Sequence, residues 1–235
     1  EQGAESGLLV VSDMQSAGRG RRGRGWESPA GTNIYYTLML KPDFSSDCAP
    51  MLTLVMALAV AKGIRQTLRR DSEEAAAKVG IKWPNDIVVD GKKVCGILTE
   101  MSMEQGYIQH IVIGVGINVR KQEFPEEIRD RAAAIDEQCG FRISRSQLIA
   151  DIMEAFEEDY EIFLRTHDLK GLRASYAELL VNQDREVCVL DPKGEYRGIA
   201  RGINDQGELL VERQDGTVEE VYAGEVSVRG IYGYV

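Results

Sequence analysis

A chain of 235 residues, 43% hydrophobic and 28% charged, is long enough for one large domain or an ordinary one with a small companion, and has the composition of a soluble globular protein. Its formal net charge of −10 argues against general binding to nucleic acid or membrane surfaces, and the longest apolar run, at 51–61, is too short to span a bilayer. The four cysteines (Cys48, Cys95, Cys139, Cys188) form no CxxC pair and only His110 and His167 could add imidazole, which argues against a zinc framework, a disulfide scaffold and a Cys–His or Ser–His–Asp nucleophile. Reduced thiols in a cytoplasmic protein are the simpler expectation. No signal-peptide pattern opens the chain, and because it starts at Glu1 rather than methionine, sequence upstream is expected.

Residues 7–13 (GLLVVSD) read as a buried strand. Gln15 follows at its exit, where a polar ligand could meet its amide. The run GRGRRGRGW at 18–26 then interleaves Arg19, Arg21, Arg22 and Arg24 with four glycines and closes on Trp26. Glycine permits close backbone approach, arginine offers bidentate charged donors for phosphate or carboxylate, and tryptophan offers a face for a ring. The combination suits a clamp for an anionic ligand that carries an aromatic group. An Arg/Gly nucleic-acid segment is disfavoured because the run lies between two strands and not in a tail. The letters Gly18-x-Gly20-x-x-Gly23 match a dinucleotide fingerprint, but Gly25-Trp26-Glu27-Ser28-Pro29 is poorly suited to open the required helix. Residues 33–40 (NIYYTLML) read as the next strand, with Tyr35 and Thr37 on one face and Tyr36 and Leu38 on the other.

A helix is expected over 50–70, with Ala59 and Gly63 small enough to admit a close neighbour, and 71–76 as a polar connection. In VGIKWPNDIVV (79–89), Lys82 sits inside an apolar strand, a costly place for an ammonium that lacks a partner. It is therefore a candidate functional residue, whereas Trp83 reads as packing. Asp90-Gly91 predicts a hairpin into 93–100, which carries Gly96; a second hairpin through Gly106 leads to 110–119. There Gly114 and Gly116 share one face and form a floor for something flat, and Asn118 at the strand end could read a base edge.

Residues 125–138 read as a helix capped near Gly140. Ser144 to Gln147 has the capping-box form and opens a helix through Leu164, with Leu148, Ile149, Ile152, Phe156, Tyr160 and Phe163 inward and its acidic residues, Asp159 among them, solvated. A shorter helix covers 172–180. From Asn182 the pattern changes to five short strands (186–190, 196–203, 209–213, 219–222, 226–229) separated by turn signals, which predicts a small barrel. The domains expected are 1–181 and 182–235.

GRGRRGRGW, KWPNDI (82–87), GILTE (96–100), IGVGINV (113–119) and GEVSVR (224–229) together resemble the bacterial biotin–protein ligases, from about residue 7 to residue 229. The resemblance implies an α/β (α+β) fold: a class II aminoacyl-synthetase-like catalytic domain with a mixed sheet and flanking helices, followed by an SH3-like barrel. It implies that biotin and ATP form biotinyl-5′-AMP and that the biotinyl group passes to a lysine of a biotin carboxyl carrier protein, with Mg²⁺ accompanying ATP. It also implies site residues. Lys82, Arg19 and Arg21 would be catalytic. Gln15, Gly18, Arg19, Gly20, Arg21, Tyr35, Thr37, Lys82, Gly96, Gly114 and Gly116 would meet biotin. Arg21, Arg24, Trp26, Lys82 and Asn118 would meet ATP. No side chain is assigned as a metal ligand, and neither nucleic acid nor membrane is an expected partner of this stretch of chain. Family members range from monomers to dimers paired through sheet edges, so both states stay open. Gly25 stands where the family usually has lysine, Thr37 where it usually has serine, and the family's Ser/Thr-Thr-Asn biotin segment would lie upstream of Glu1. A related lipoate or octanoyl ligase is the nearest alternative.

Overall fold

In the computed structural model, which describes residues 3–191, 194–223 and 227–230, the first apolar segment forms β1 (Leu8–Ser12) and pairs antiparallel with β2 (Ile34–Leu40). A 19-residue helix, α1 (Met51–Arg69), and a single-turn α2 (Glu73–Ala77) follow. The chain then returns through β3 (Val79–Lys82), β4 (Asp86–Val89), β5 (Lys92–Glu104) and β6 (Tyr107–Ile117). The expected hairpin turns both form. Asp90 and Gly91 have φ of 51° and 73°, Gln105 and Gly106 have 51° and 87°, the left-handed pairs that two-residue hairpin loops require. The sheet order is β1-β2-β6-β5-β4-β3, and every pairing between these strands is antiparallel. Among the described residues, the parallel component of a mixed sheet consists of two isolated bridges, Ile81–Leu180 and Lys93–Ala132.

Alternation along β6 sets the two faces. Ile111, Ile113, Val115 and Ile117 are buried, while Val112, Gly114 and Gly116 between them are half-buried. The first set packs with Tyr36, Leu38 and α1 in the main core. Together with the turn before it, α1 forms a span, Ser46–Arg69, long and apolar enough by composition to cross a bilayer, more than the run at 51–61 suggests. That apolar surface is used inside the fold, where 72% of the span's most apolar window is buried.

Beyond β6 lie α3 (Ile135–Cys139), α4 (Arg145–Thr166) and α5 (Arg173–Leu179). Gly63 admits α4 as its sequence suggested: a methyl group there would stand 2.5 Å from the Ile152 side chain and 2.8 Å from its backbone nitrogen. Buried polar groups fix the same interface. Asp151 accepts from both Arg70 guanidinium nitrogens (2.5 and 2.8 Å), from Thr67 Oγ1 (2.6 Å) and from Gln147 Nε2 (2.9 Å). Burial alone would raise the Asp151 pKa, but the hydrogen bonds from Arg70, Thr67 and Gln147 outweigh it and hold the carboxyl below the usual range. The folded state therefore favours the ionised form. Its contribution is full above about pH 4, where the unfolded carboxyl has ionised, and is lost as pH falls through the depressed folded value. Asp151→Asn is expected to lower the thermal midpoint by about 5 °C at pH 7, and the gap to the parent should close on acidification. A gap that stays constant from pH 7 to pH 3 would contradict this account.

Five local expectations change, the last of them in part. The strand β1 is not buried. It is the sheet's edge, with Leu8, Val10 and Val11 about half exposed (45%, 55% and 51%). Residues 71–76 are not merely a connection, because the Ser72 hydroxyl caps the Ala75 amide and starts α2. The helix expected over 125–138 shrinks to α3, because the Lys93 amide bonds the Arg131 carbonyl (2.7 Å) and the Ala133 amide bonds the Lys93 carbonyl (2.9 Å), drawing that stretch out along β5. Its left-handed Gly140 cap is present (φ 80°). Asp159 is not solvated; it is fully buried against Lys62 Nζ at 2.5 Å. In the capping box, Ser144 Oγ does accept the Gln147 amide, but the Gln147 side chain turns to Asp151 instead of returning.

The remaining strands are β7 (Glu186–Asp191), β8 (Gly194–Ile203), β9 (Leu209–Glu212), β10 (Val218–Val221) and β11 (Ser227–Gly230). They form one antiparallel five-stranded sheet in the order β10-β9-β8-β7-β11. Residues 192 and 193 of the turn into β8, and 224–226 of the GEVSVR motif, lie outside the described residues. Trp83 ties the two sheets together as a packing residue: it is buried, and its Nε1 donates to the Gly207 carbonyl at 3.0 Å.

Candidate active site

The arginine–glycine run folds into a short pin between β1 and β2. The Trp26 amide bonds the Gly18 carbonyl (2.9 Å), the Gly20 amide bonds the Arg24 carbonyl (2.7 Å), and Arg19 bridges Gly25. At the tip Arg22 and Gly23 adopt left-handed φ of 59° and 69° and reverse the chain. The neck is interlocked. Ser28 Oγ lies 2.9 Å from Gln15 Oε1 and 3.2 Å from the Trp26 carbonyl oxygen. A Cβ on Gly18 would stand 2.2 Å from that same carbonyl, so no larger residue fits there.

Below the pin, the register lines up one residue from each strand of the large sheet. Lys82 lies opposite Asp86, Asp86 opposite Gly96, Gly96 opposite Gly116, Gly116 opposite Tyr35, and Tyr35 opposite Ser12. Strand alternation puts this row on the face away from α1. Two residues along, Thr37, Gly114 and Leu98 form a second row on that face. The sheet thus carries a cationic end at Lys82, a side-chain-free centre and a hydroxyl end at Tyr35. Lys82 is 6% exposed and Asp86 is paired to Lys93 Nζ at 2.5 Å, so the ammonium that was costly in sequence terms is set beside carboxylate chemistry. Burial pushes the Tyr35 hydroxyl pKa up and keeps it a neutral donor, 3.2 Å from the Pro29 carbonyl.

The pin meets these rows through two side chains. Arg21 donates from Nη1 to Asn85 Oδ1 (2.9 Å) and from Nη2 to the Ala223 carbonyl, linking both sheets. Burial lowers its pKa, Asp86 opposes that, and Arg22 adds to it; a guanidinium stays charged throughout. Trp26 lies on the glycine centre. A Cβ at Gly116 would stand 2.4 Å from Trp26 Nε1, and one at Gly96 would stand 2.8 Å from Cζ3. The flat group on this floor is therefore the chain's own indole. Among the described residues, a Cβ at Gly114 would meet only the Leu98 carbonyl, at 3.7 Å, so no side chain lies over it as Trp26 lies over its neighbours.

Of the residues singled out from sequence, Gln15, Gly18, Gly20, Arg21, Trp26, Tyr35, Thr37, Lys82, Gly96, Gly114 and Gly116 are gathered on this face or in the pin over it. Arg19 points outward to Glu100, 2.7 Å away in a pair that is largely exposed. Arg24 is exposed. Asn118 is buried just past β6, its amide bonded to the Val94 carbonyl and its carbonyl to the Ile135 amide. Asn85, Asp86 and Lys93 were not singled out. Asn85 and Asp86 stand inside the quoted KWPNDI motif, where their polarity beside Lys82 was the available signal.

Residues 1–118 match the biotin/lipoate A/B protein ligase family, and residues 184–229 match the biotin protein ligase C-terminal domain. The chain is 38% identical over 229 residues to the bifunctional ligase/repressor BirA of Bacillus spizizenii, covering 96% of this chain and 67% of that protein. It is 29% identical to the biotin–[acetyl-CoA-carboxylase] ligase of Paracoccus denitrificans, covering 94% of this chain and 92% of that one. Its fold superposes on the biotin protein ligase of Aquifex aeolicus solved with biotin and ATP, with a TM-score of 0.82, 29% identity, and coverage of 98% and 92% of the two chains.

Proposed function

The chain belongs to the biotin protein ligase family, and from that premise we propose that it joins biotin to a lysine of a biotin carboxyl carrier protein at the expense of ATP. A biotin carboxylate oxygen attacks the α-phosphorus of MgATP; the bond to the β-phosphate oxygen breaks, and biotinyl-5′-AMP and pyrophosphate form. The neutral amine of the carrier lysine then attacks the anhydride carbonyl. The C–O bond to AMP breaks, the nitrogen loses its proton, and an amide and AMP remain. Neither step needs a side-chain nucleophile. Both need charge cancelled where two anions meet, then a site shielded from water.

One observation carries this reading: the row Lys82–Asp86–Gly96–Gly116–Tyr35 roofed by an arginine pin. We assign Lys82 to the carboxyl and α-phosphoryl oxygens, with Arg19 and Arg21 sharing that charge. The Arg19–Glu100 pair is exposed and worth little, so an incoming anion can replace Glu100 at small cost. The face around Gly114 and Thr37, bordered by the buried Tyr35 and by Gln15, Gly18 and Gly20 at the pin's neck, suits biotin, with Gly96 and Gly116 beside it beneath Trp26. Trp26, Arg24 and Asn118 are assigned to the nucleotide. The four free thiols agree with a cytoplasmic setting. The open edge of β1, with Leu8, Val10 and Val11 exposed, agrees with pairing to a second copy. With Arg21 and Trp26 folded onto the sheet, the pin is not read as a nucleic-acid contact.

ATP–pyrophosphate exchange tests the reading. Exchange is expected only when biotin is present, and labelled biotin is expected to reach a carrier-domain lysine. Exchange supported by lipoate and not by biotin would overturn it.

A further inference from the structure

Lys93 follows the Asp90-Gly91 turn as one of two adjacent lysines at the start of β5. Its surroundings are not those of a surface lysine. Nζ is 2.5 Å from Asp86 Oδ1, the Lys93 side chain is only 25% exposed, and Nζ lies over the Trp26 ring, 5.4 Å from its centroid. Both backbone groups are engaged, the amide with the Arg131 carbonyl and the carbonyl with the Ala133 amide, so the stem starts from a fixed point. The tip shares its space with the indole. A Cβ at Gly96 would stand 2.8 Å from Trp26 Cζ3 and 3.3 Å from both Cε and Nζ of Lys93. Gly96 leaves room for an ammonium and an aromatic ring to meet over one backbone position, with a carboxylate behind the ammonium. An ammonium held over an indole is attracted to its face, and more so when partly desolvated. The carboxylate prevents the ammonium from leaving.

We propose that Lys93, anchored by Asp86, is a positioning residue that seats Trp26 on the Gly96–Gly116 floor and so presents the indole to the nucleotide's base. This rests on the assignment of Trp26 to ATP made above. It gives Asp86 two cationic neighbours, Lys82 opposite it in the ladder and Lys93 in an ion pair.

The test uses the full chain, with Lys93→Met, Lys93→Arg and Trp26→Phe. Two readouts are taken: steady-state KM and kcat in ATP–pyrophosphate exchange, and ligand-free tryptophan emission, with the Trp26 share defined by subtracting Trp26→Phe. Lys93→Met is expected to raise the KM for ATP about tenfold. The KM for biotin should stay within twofold, and the Trp26 emission should change in intensity and maximum. Lys93→Arg, which keeps a cation able to stack, should recover most of both signals. If Lys93→Met leaves the ATP KM and the Trp26 emission as in the parent, the seat does not exist. If kcat falls with both KM values unchanged, Lys93 acts in the chemistry and the proposal is wrong. If the parent itself shows no biotin-dependent exchange, the functional assignment fails, while the ligand-free emission still decides whether Lys93 seats Trp26.

Discussion

Lys82→Ala is expected to cut biotinyl-5′-AMP formation by about a hundredfold or more, the usual cost of removing one preorganised donor from a developing oxyanion. Lys82 ends β3 at 6% exposure, opposite Asp86 in the ladder, and Asp86 is already committed to Lys93. The ammonium is therefore held beside charge that its neighbours already partly balance, on the face that carries the glycine centre and the Trp26 indole seated on it. Lys82→Met keeps most of the stem's volume and separates lost charge from lost packing. It should lose adenylate formation as Ala does while keeping an unfolding midpoint near the parent's. Lys82→Arg should recover little, because a planar guanidinium does not fit a point charge's place. Transfer from supplied biotinyl-5′-AMP to a carrier lysine should fall as well, since the same carbonyl oxygen gains charge in that step. Adenylate yield near the parent's in Lys82→Met, with the protein folded, would remove Lys82 from the mechanism.

That Lys82 could be singled out from sequence, while Lys93 could not, has a physical reason. A cation within a run of strand-forming apolar residues carries a visible desolvation cost. A lysine after a hairpin turn carries none until the fold brings Asp86 and Trp26 to it. The same contrast runs through the fold. Hairpins at Asp90-Gly91 and Gln105-Gly106, the alternation of β2 and β6 and the close approach at Gly63 are local matters and were legible. What failed was non-local. Whether β1 is central or an edge depends on partners elsewhere in the chain. The stretch before α3 is held extended by Lys93, some 40 positions back. Asp159 looked solvated because Lys62, its partner, is 97 residues away. In the arginine run the side chains are chemically equivalent, and only the left-handed turn at Arg22 decides which of them faces the sheet.

That last point yields the second large effect, a contrast between neighbours. Arg21 reaches Asn85 Oδ1 across 64 residues and the Ala223 carbonyl across 202. Asn85 is itself fixed, its Nδ2 bonded to the Ile97 carbonyl and its own carbonyl to the Ile97 amide, both at 3.0 Å. The guanidinium thus holds the pin to a rigid point of the large sheet and to the small sheet at once, and it brings a half-buried cation over the row that starts at Lys82. Arg22, one residue on, is exposed in the turn. Arg21→Ala removes two tethers and one charge. It is expected to lower adenylate formation about a hundredfold, with a raised KM for biotin as the pin loses its fixed closed geometry. Arg21→Lys should fall between, since an ammonium cannot span two acceptors in a planar fork. Arg22→Ala should stay within about threefold of the parent, because an exposed turn residue contributes little to either charge or geometry. Stopped-flow measurement of adenylate formation across the three variants decides the matter: if Arg22→Ala costs as much as Arg21→Ala, the pin acts through its overall charge and the inward geometry of Arg21 is not what catalysis uses.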